Sequence, residues 1–230
     1  MSGRKVLVTG GTRGIGAAIV ARFGDEGEEV IAVGRAECDV TDEAAVIALF
    51  ERVGPVDVLV NNAGVASSAP VGRTTLAQWR AAMDVNALGA FLCTRAALPG
   101  MAAQDRGRIV TVASTAGLVG TRYTAAYTAA KHAAIGLMRA VAAEVAGTGV
   151  TANAVCPGFV RTDMTAESLR HIVARTGRSP AAAEAALAAM SPLGRLLEPA
   201  EVAAAVCYLA APGSGAINGR ALALDGGGIP

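Results

Sequence analysis

Tyr127 and Lys131 lie four residues apart in a stretch, Tyr123–Val145, whose apolar spacing is helical. Both side chains therefore fall on one helix face. A phenol there can exchange a proton with a bound molecule, and an ammonium beside it can hydrogen-bond a ligand hydroxyl and lower the phenol's pKa. Lys5 and Lys131 are the only lysines among twenty basic residues, so a lysine at 131 calls for more than a solvated charge, although an i,i+4 surface pair is the plain alternative. Ser114 follows the apolar strand Arg108–Val112 and so belongs to the carboxyl edge of a sheet, where open α/β folds bind ligands. Its hydroxyl can polarise an oxygen while Tyr127 gives or takes the proton, or it can cap local backbone. Asn86 interrupts the apolar face of a helical pattern over Trp79–Leu98. A buried amide must be satisfied, and a water between Asn86 and Lys131 would do so while completing a proton path. The chemistry these residues share is proton transfer at the oxygen of a carbonyl or alcohol. His132 and His171 are placed for neither a Ser-His-Asp arrangement nor a metal site.

A second group of residues suits a dinucleotide. Gly10, Gly11, Thr12, Arg13, Gly14, Ile15 and Gly16 join the strand Lys5–Thr9 to an amphipathic helix over Ile15–Phe23. Glycines there let backbone approach a diphosphate, with helix N-terminal amides facing the anion. At the end of the next strand, Val30–Val33, the acid that would hold ribose hydroxyls is replaced by Gly34, followed by Arg35. Arg13 and Arg35 favour a 2′-phosphate and hence NADP(H). Glu37 opposes that reading and leaves NAD(H) open. Asp39 can either reach an adenine amino group or cap the helix that begins near Thr41. Asn62, Ala63 and Gly64 close the strand Val56–Val60 at the same edge, where small residues admit an adenosine ribose and Asn62 can tie neighbouring strands together.

These residues need strands and helices in alternation. Further strands are expected at Val150–Val155, ended by Pro157-Gly158, and at Ala221–Leu224, with helices at Val46–Val53 and Glu201–Ala210. The pattern predicts a Rossmann-like, doubly wound parallel α/β sheet with helices on both faces. Only four residues separate Val33 from Cys38, too few for the dozen or more that a parallel crossover requires. The usual third, edge strand and its preceding helix are therefore expected to be missing, leaving Val30–Val33 as an outer strand. Thr162–Ser191 reads as a polar, mobile substrate-covering segment, within which the Ala-rich Pro180–Ala189 should be helical. A single domain over residues 1–230 accommodates all of this.

The composition narrows the partners. With 53% hydrophobic but 3% aromatic residues, the interior must be filled by Ala, Val, Leu and Gly. A formal charge of +1 gives no basic track for nucleic acid. No signal-peptide pattern opens the chain, no uncharged run escapes interruption by Pro and Gly, and the four cysteines are scattered. A cytoplasmic protein with no membrane span is expected.

Taken together, the run Thr9–Gly16, Asn61-Asn-Ala-Gly64, Asn86, Ser114, Tyr127-Thr-Ala-Ala-Lys131 and Pro157-Gly158 resembles the single-domain short-chain dehydrogenases/reductases, from Lys5 to about Gly228. Within that family the whole chain looks most like the 3-oxoacyl-thioester and polyketide ketoreductases. The resemblance implies Tyr127 as acid–base, Ser114 as orienter of the substrate oxygen, Lys131 on the nicotinamide ribose and Asn86 in a water-linked relay. It places Pro157, Gly158 and Thr162 beside the nicotinamide and diphosphate. It also implies a homotetramer paired through the two long helices, acting on a carbonyl or alcohol, such as an acyl carrier protein or coenzyme A thioester. A dehydrogenase of small cyclic or secondary alcohols, and a non-catalytic nucleotide-binding regulator, are the other readings.

Overall fold

The computed structural model describes residues 3–229. Six parallel strands form one sheet in the order β2-β1-β3-β4-β5-β6. They are β1 (Lys5–Thr9), β2 (Glu29–Val33), β3 (Val58–Asn61), β4 (Gly107–Val112), β5 (Val150–Pro157) and β6 (Ala221–Leu224). Side chains alternate between the faces. Leu7 joins a core packed by α2 (Glu43–Val53), α4 (Gly89–Ala103) and α5 (Ala125–Glu144), whereas Val6 and Val8 join one packed by α1 (Gly14–Asp25) and α8 (Pro199–Ala210). Aliphatic residues on both faces of each inner strand make the sheet a buried floor. The strand order reverses between β1 and β3, so the cleft for a ligand opens at their carboxyl ends.

The shortened connection has the expected consequence. β2 is an edge strand bonded only to β1, and residues 34–38 close as one helical turn, with Cys38 N–H donating to Gly34 O at 3.0 Å. Asp42 then caps α2 by accepting from Ala44 N and Ala45 N.

Two expectations need correction. The region over Trp79–Leu98 is not one regular helix. It comprises α3 (Leu76–Met83), a π turn at Asp84–Leu88, and α4, which runs on to Ala103. Thr75 and Gln78 form a capping box that starts α3 earlier than apolar spacing indicates. Within Thr162–Ser191 the helix expected over Pro180–Ala189 is present as α7 (Pro180–Ala188), capped by Ser179, and an unexpected helix precedes it, α6 (Asp163–Thr176), capped by Thr162 and ended by left-handed Gly177. Arg161, just before α6, pairs with Glu184 of α7 at 2.9 Å and with Glu198 at the start of α8 at 3.0 Å. That bridge ties α7 to the starts of α6 and α8.

Candidate active site

The glycine loop is shaped by close approach. A Cβ on Gly16 would lie 2.0 Å from Gly10 O, and one on Gly10, whose φ is +61°, would touch Ala63 Cα at 3.0 Å. Neither position admits another residue without moving backbone. Asn62 holds the loop against β3, its Nδ2 donating to Thr9 O and Gly10 O at 3.0 and 2.9 Å. Thr9, which sequence reasoning passed over, accepts from Asn62 N and Ala63 N, both at 3.1 Å. Its signal was being the polar end of an otherwise apolar strand. Arg13 at the start of α1 supplies no side-chain cap, so the amides of the first turn remain open to an anion. Gly14 faces Thr162 across a cavity of about 340 Å³ lined also by Arg161, Asp163 and Ala166. Ile15 continues α1 into the core that backs the loop. The uncapped helix end, the glycine cradle and the facing threonine fit a dinucleotide diphosphate.

At the adenosine side the arginines are less engaged with the cleft than their positions indicate. Arg35 is exposed and pairs with Asp39 at 3.2 Å. Asp39 accepts from Thr41 N–H and Oγ1 at 3.0 and 2.8 Å, which keeps its carboxyl below the ordinary range. It thus serves the turn before α2 and does not cap the helix, whose N-cap is Asp42.

Four elements converge on Tyr127. Lys131, one turn later on α5, is 5% exposed and donates from Nζ to Val112 O at 2.9 Å, with Nζ 5.7 Å from the Tyr127 ring centroid. Burial lowers its pKa from 10.5 to about 8. Ser114, past the end of β4, accepts from Ala116 N at 3.1 Å, the local capping role, and its hydroxyl lies beside the Tyr127 phenol. The phenol's pKa is raised: burial dominates, and the bond to Ser114 offsets part of it. That reverses the expected direction, because withdrawal of the ring from water outweighs any help from the ammonium. Cys156, immediately before Pro157-Gly158, is fully buried beside Ser114, Tyr127 and Lys131, a neighbour that sequence reasoning left among inert thiols.

Asn86 sits in the π turn, where Gly89 N–H reaches back five residues to Asp84 O. Within that widened turn its Nδ2 donates to Ala82 O and Val65 O at 2.8 and 2.9 Å. Its buried Oδ1 has no protein partner. A Cβ on Gly64 would fall 2.8 Å from that oxygen and 3.6 Å from Lys131 Nζ, so the amide and the ammonium crowd one point. A buried acceptor left over beside an ammonium fits a site completed by water and ligand. Pro157 ends β5, and Gly158 N–H donates to Leu224 O at 3.0 Å, setting the floor between Ser114 and Thr162. No cluster of His, Cys, Asp and Glu able to hold a metal occurs among the described residues.

A parallel sheet with a glycine cradle at its switch point, and beside it half-buried Ser114 and Tyr127 over buried Lys131, defines an NAD(P)(H)-dependent oxidoreductase. A family model described as Enoyl-(Acyl carrier protein) reductase matches residues 32–228. The 3-oxoacyl-[acyl-carrier-protein] reductase of Vibrio cholerae is 36% identical, covering 99% of this chain and 98% of its own. Cis-4-hydroxycyclohexanecarboxylate dehydrogenase of Sinomonas cyclohexanicum is also 36% identical, over 97% and 96%. A variant of actinorhodin polyketide ketoreductase, solved with NADPH, superposes with a TM-score of 0.91 at 36% identity, over 98% and 97%. The chain belongs to the short-chain dehydrogenase/reductase family and is of ketoreductase type.

Proposed function

We propose that the protein is a cytoplasmic NADP(H)-preferring reductase of a 3-oxoacyl thioester, with Tyr127 as its acid–base residue. The observation that carries the chemistry is Tyr127 lying beside Ser114 at the sheet edge, with buried Lys131 one turn on and its Nζ held by Val112 O. A bound nicotinamide supplies the hydride for the carbonyl carbon. Tyr127, a phenol and so protonated at neutral pH, delivers the proton to the carbonyl oxygen. Ser114 donates a hydrogen bond to the same oxygen as negative charge develops there. Lys131 Nζ, already held by Val112 O, reaches the nicotinamide ribose and favours tyrosinate in the alcohol-oxidising direction. Asn86 Oδ1 receives the water that returns a proton through Lys131. Gly10–Gly16, Thr162 and the Pro157-Gly158 floor hold the dinucleotide, with Arg13 and Arg35 at the ribose end. The four cysteines are free and buried, as suits a reducing compartment.

The thioester reading draws on the reductases among the relatives and on exposed Arg170 and Arg175 of α6 with Arg178 just past its end, which can meet the phosphate of a carrier arm. The cyclohexane-carboxylate enzyme, equally identical, supports the second reading, oxidation of a cyclic secondary alcohol. Comparing NADPH-dependent reduction of acetoacetyl-coenzyme A with that of a small β-keto ester separates them. A much higher kcat/KM for the thioester is expected, because the arm contributes binding in the transition state. Alcohol oxidation without thioester reduction would overturn the substrate class and leave the Tyr127 assignment standing.

The assembly proposed is a homotetramer. Leu88 and Phe91 at the start of α4, and Trp79 on α3, are large apolar side chains left exposed, and an open groove of about 670 Å³ runs along Ala125, Thr128, Ala129 and His132 of α5. Light scattering at micromolar concentration should give four times the chain mass, and a monomer would reject this pairing.

A further inference from the structure

The cavity at Gly14 and the helices that follow it share one guanidinium. Arg161 is the only cation among the residues lining that cavity of about 340 Å³, and Asp163 adds a negative charge to the same wall. The Arg161 backbone is pinned, its N–H donating to Leu197 O while Leu197 N–H donates to Phe159 O, both at 2.8 Å. Its side chain is half exposed and engaged on two sides. Nη1 donates to Glu184 Oε1 of α7 at 2.9 Å, and Nε donates to Glu198 Oε1 at the start of α8 at 3.0 Å. Nη2 has no partner among the described residues. The two carboxylates are not equally fixed. Glu198 N–H donates to Glu201 Oε2 at 2.8 Å in a capping box, and Arg195 clamps Glu201 with bonds of 2.7 and 2.8 Å. Glu184 sits within the nine-residue α7, and among the described residues its carboxylate is held by Arg161 alone.

We infer that Arg161 couples the cofactor to α7: the diphosphate of a bound dinucleotide draws the guanidinium from Glu184, so that seating the cofactor releases α7. The balance of charge forces the exchange. A diphosphate is a dianion, and it enters a cavity whose wall holds Asp163 and whose one cation already serves Glu184 and Glu198. A single guanidinium cannot neutralise all of these groups. Phosphate oxygens match its fork as well as a carboxylate does and bring more charge. Glu198, locked at the start of α8, keeps its bond, and Glu184, with nothing else to hold it, gives way. Coupling of this kind is reciprocal. A docked α7 weakens dinucleotide binding by the same factor by which the dinucleotide loosens α7.

This inference rests on the cofactor part of the proposed function, and direct binding tests it without any substrate. NADPH is titrated by nicotinamide fluorescence at low ionic strength against the full chain, Glu184→Gln, Arg161→Gln and the double variant. Hydrogen exchange of the α7 amides is followed with and without NADPH. Glu184→Gln keeps an oxygen for Nη1 and loses only the charge. It should bind NADPH about three- to fivefold more tightly, the upper part of what an exposed ion pair is worth, and the gain should fade as salt rises. Arg161→Gln should bind NADPH more weakly, and in that background Glu184→Gln should lose its effect, because the carboxylate acts through the guanidinium. In the wild-type protein NADPH should speed α7 exchange, whereas in Arg161→Gln exchange should be fast with or without it. Glu184→Gln, at a half-exposed position, carries the test even where Arg161→Gln folds poorly. If Arg161 is only a brace between helices, Glu184→Gln loosens α7 and leaves NADPH affinity unchanged, which overturns the inference. NADPH that leaves α7 exchange unaltered, or slows it, overturns it as well. Failure of wild-type protein to bind either NADPH or NADH would overturn both the inference and the function on which it rests.

Discussion

Replacing Tyr127 with Phe should lower kcat by roughly 10² to 10⁴, the range that a positioned acid–base group contributes, while NADPH affinity stays near wild type. Phe keeps the ring, so the packing of α5 against the Ser114 loop should survive and the melting temperature should change little. What disappears is the phenolic proton beside Ser114, which the phenol carries at neutral pH. The split is diagnostic. A group that only helps to bind would raise KM, whereas one used in the transition state lowers kcat and kcat/KM together. A variant keeping more than about a tenth of wild-type turnover would fall outside the expected range and remove Tyr127 from the acid–base role.

How far this site could be read from sequence depended on whether a residue's partner is set by local spacing or by backbone elsewhere. Tyr127 and Lys131 were legible because i and i+4 share a face wherever the helix goes. Ser114 was legible because a strand end fixes it at the sheet edge. The outer position of β2 followed from counting: four residues cannot make a crossover. Asn86 was recognised as an anomaly, but not the π turn beneath it, since an inserted residue leaves hydrophobic spacing nearly intact and shows only in backbone hydrogen bonds. The same limit hid α6. Its low mean hydropathy looks like a loop, and the signals that mark it as a helix are its end residues, Thr162 and Gly177, around an amphipathic sequence.

Electrostatic directions were the hardest to read. An ammonium four residues from a phenol implied a lowered phenol pKa, yet both groups leave water together, and for each the loss of solvent dominates. Asp39 and Arg35 illustrate the same point in the opposite sense. Placed by sequence at the cofactor, they satisfy each other and Thr41, because a turn of so few residues brings them within reach. Glu37 gained its position from that turn too, its Oε2 accepting from Gly34 N–H at 2.8 Å.

Lys131 carries the other large expectation, and it divides stability from function. Burial lowers its pKa from 10.5 to about 8, so between these values the unfolded chain holds a proton that the folded protein has released. Stability therefore rises with pH across that window and is insensitive to this group below it. Relative to Lys131→Met, which has no titrating group there, the wild-type protein should gain roughly 3 kcal/mol between pH 8 and 10.5. At neutral pH the Met variant is relieved of a buried charge but loses the bond to Val112 O, and these nearly cancel. It should melt close to wild type at pH 7 and yet lose about 10² or more in turnover, with weaker NADPH binding, since nothing is left to hold the ribose or ease proton return. Chemical denaturation of the two proteins at several pH values, beside NADPH titration and steady-state rates, measures each part. A stability gap that does not narrow or widen across the window would mean that the ammonium is not the group titrating there. Intact NADPH affinity and turnover in Lys131→Met would reduce Lys131 to a packing residue, and the reductase would need another cation for its ribose.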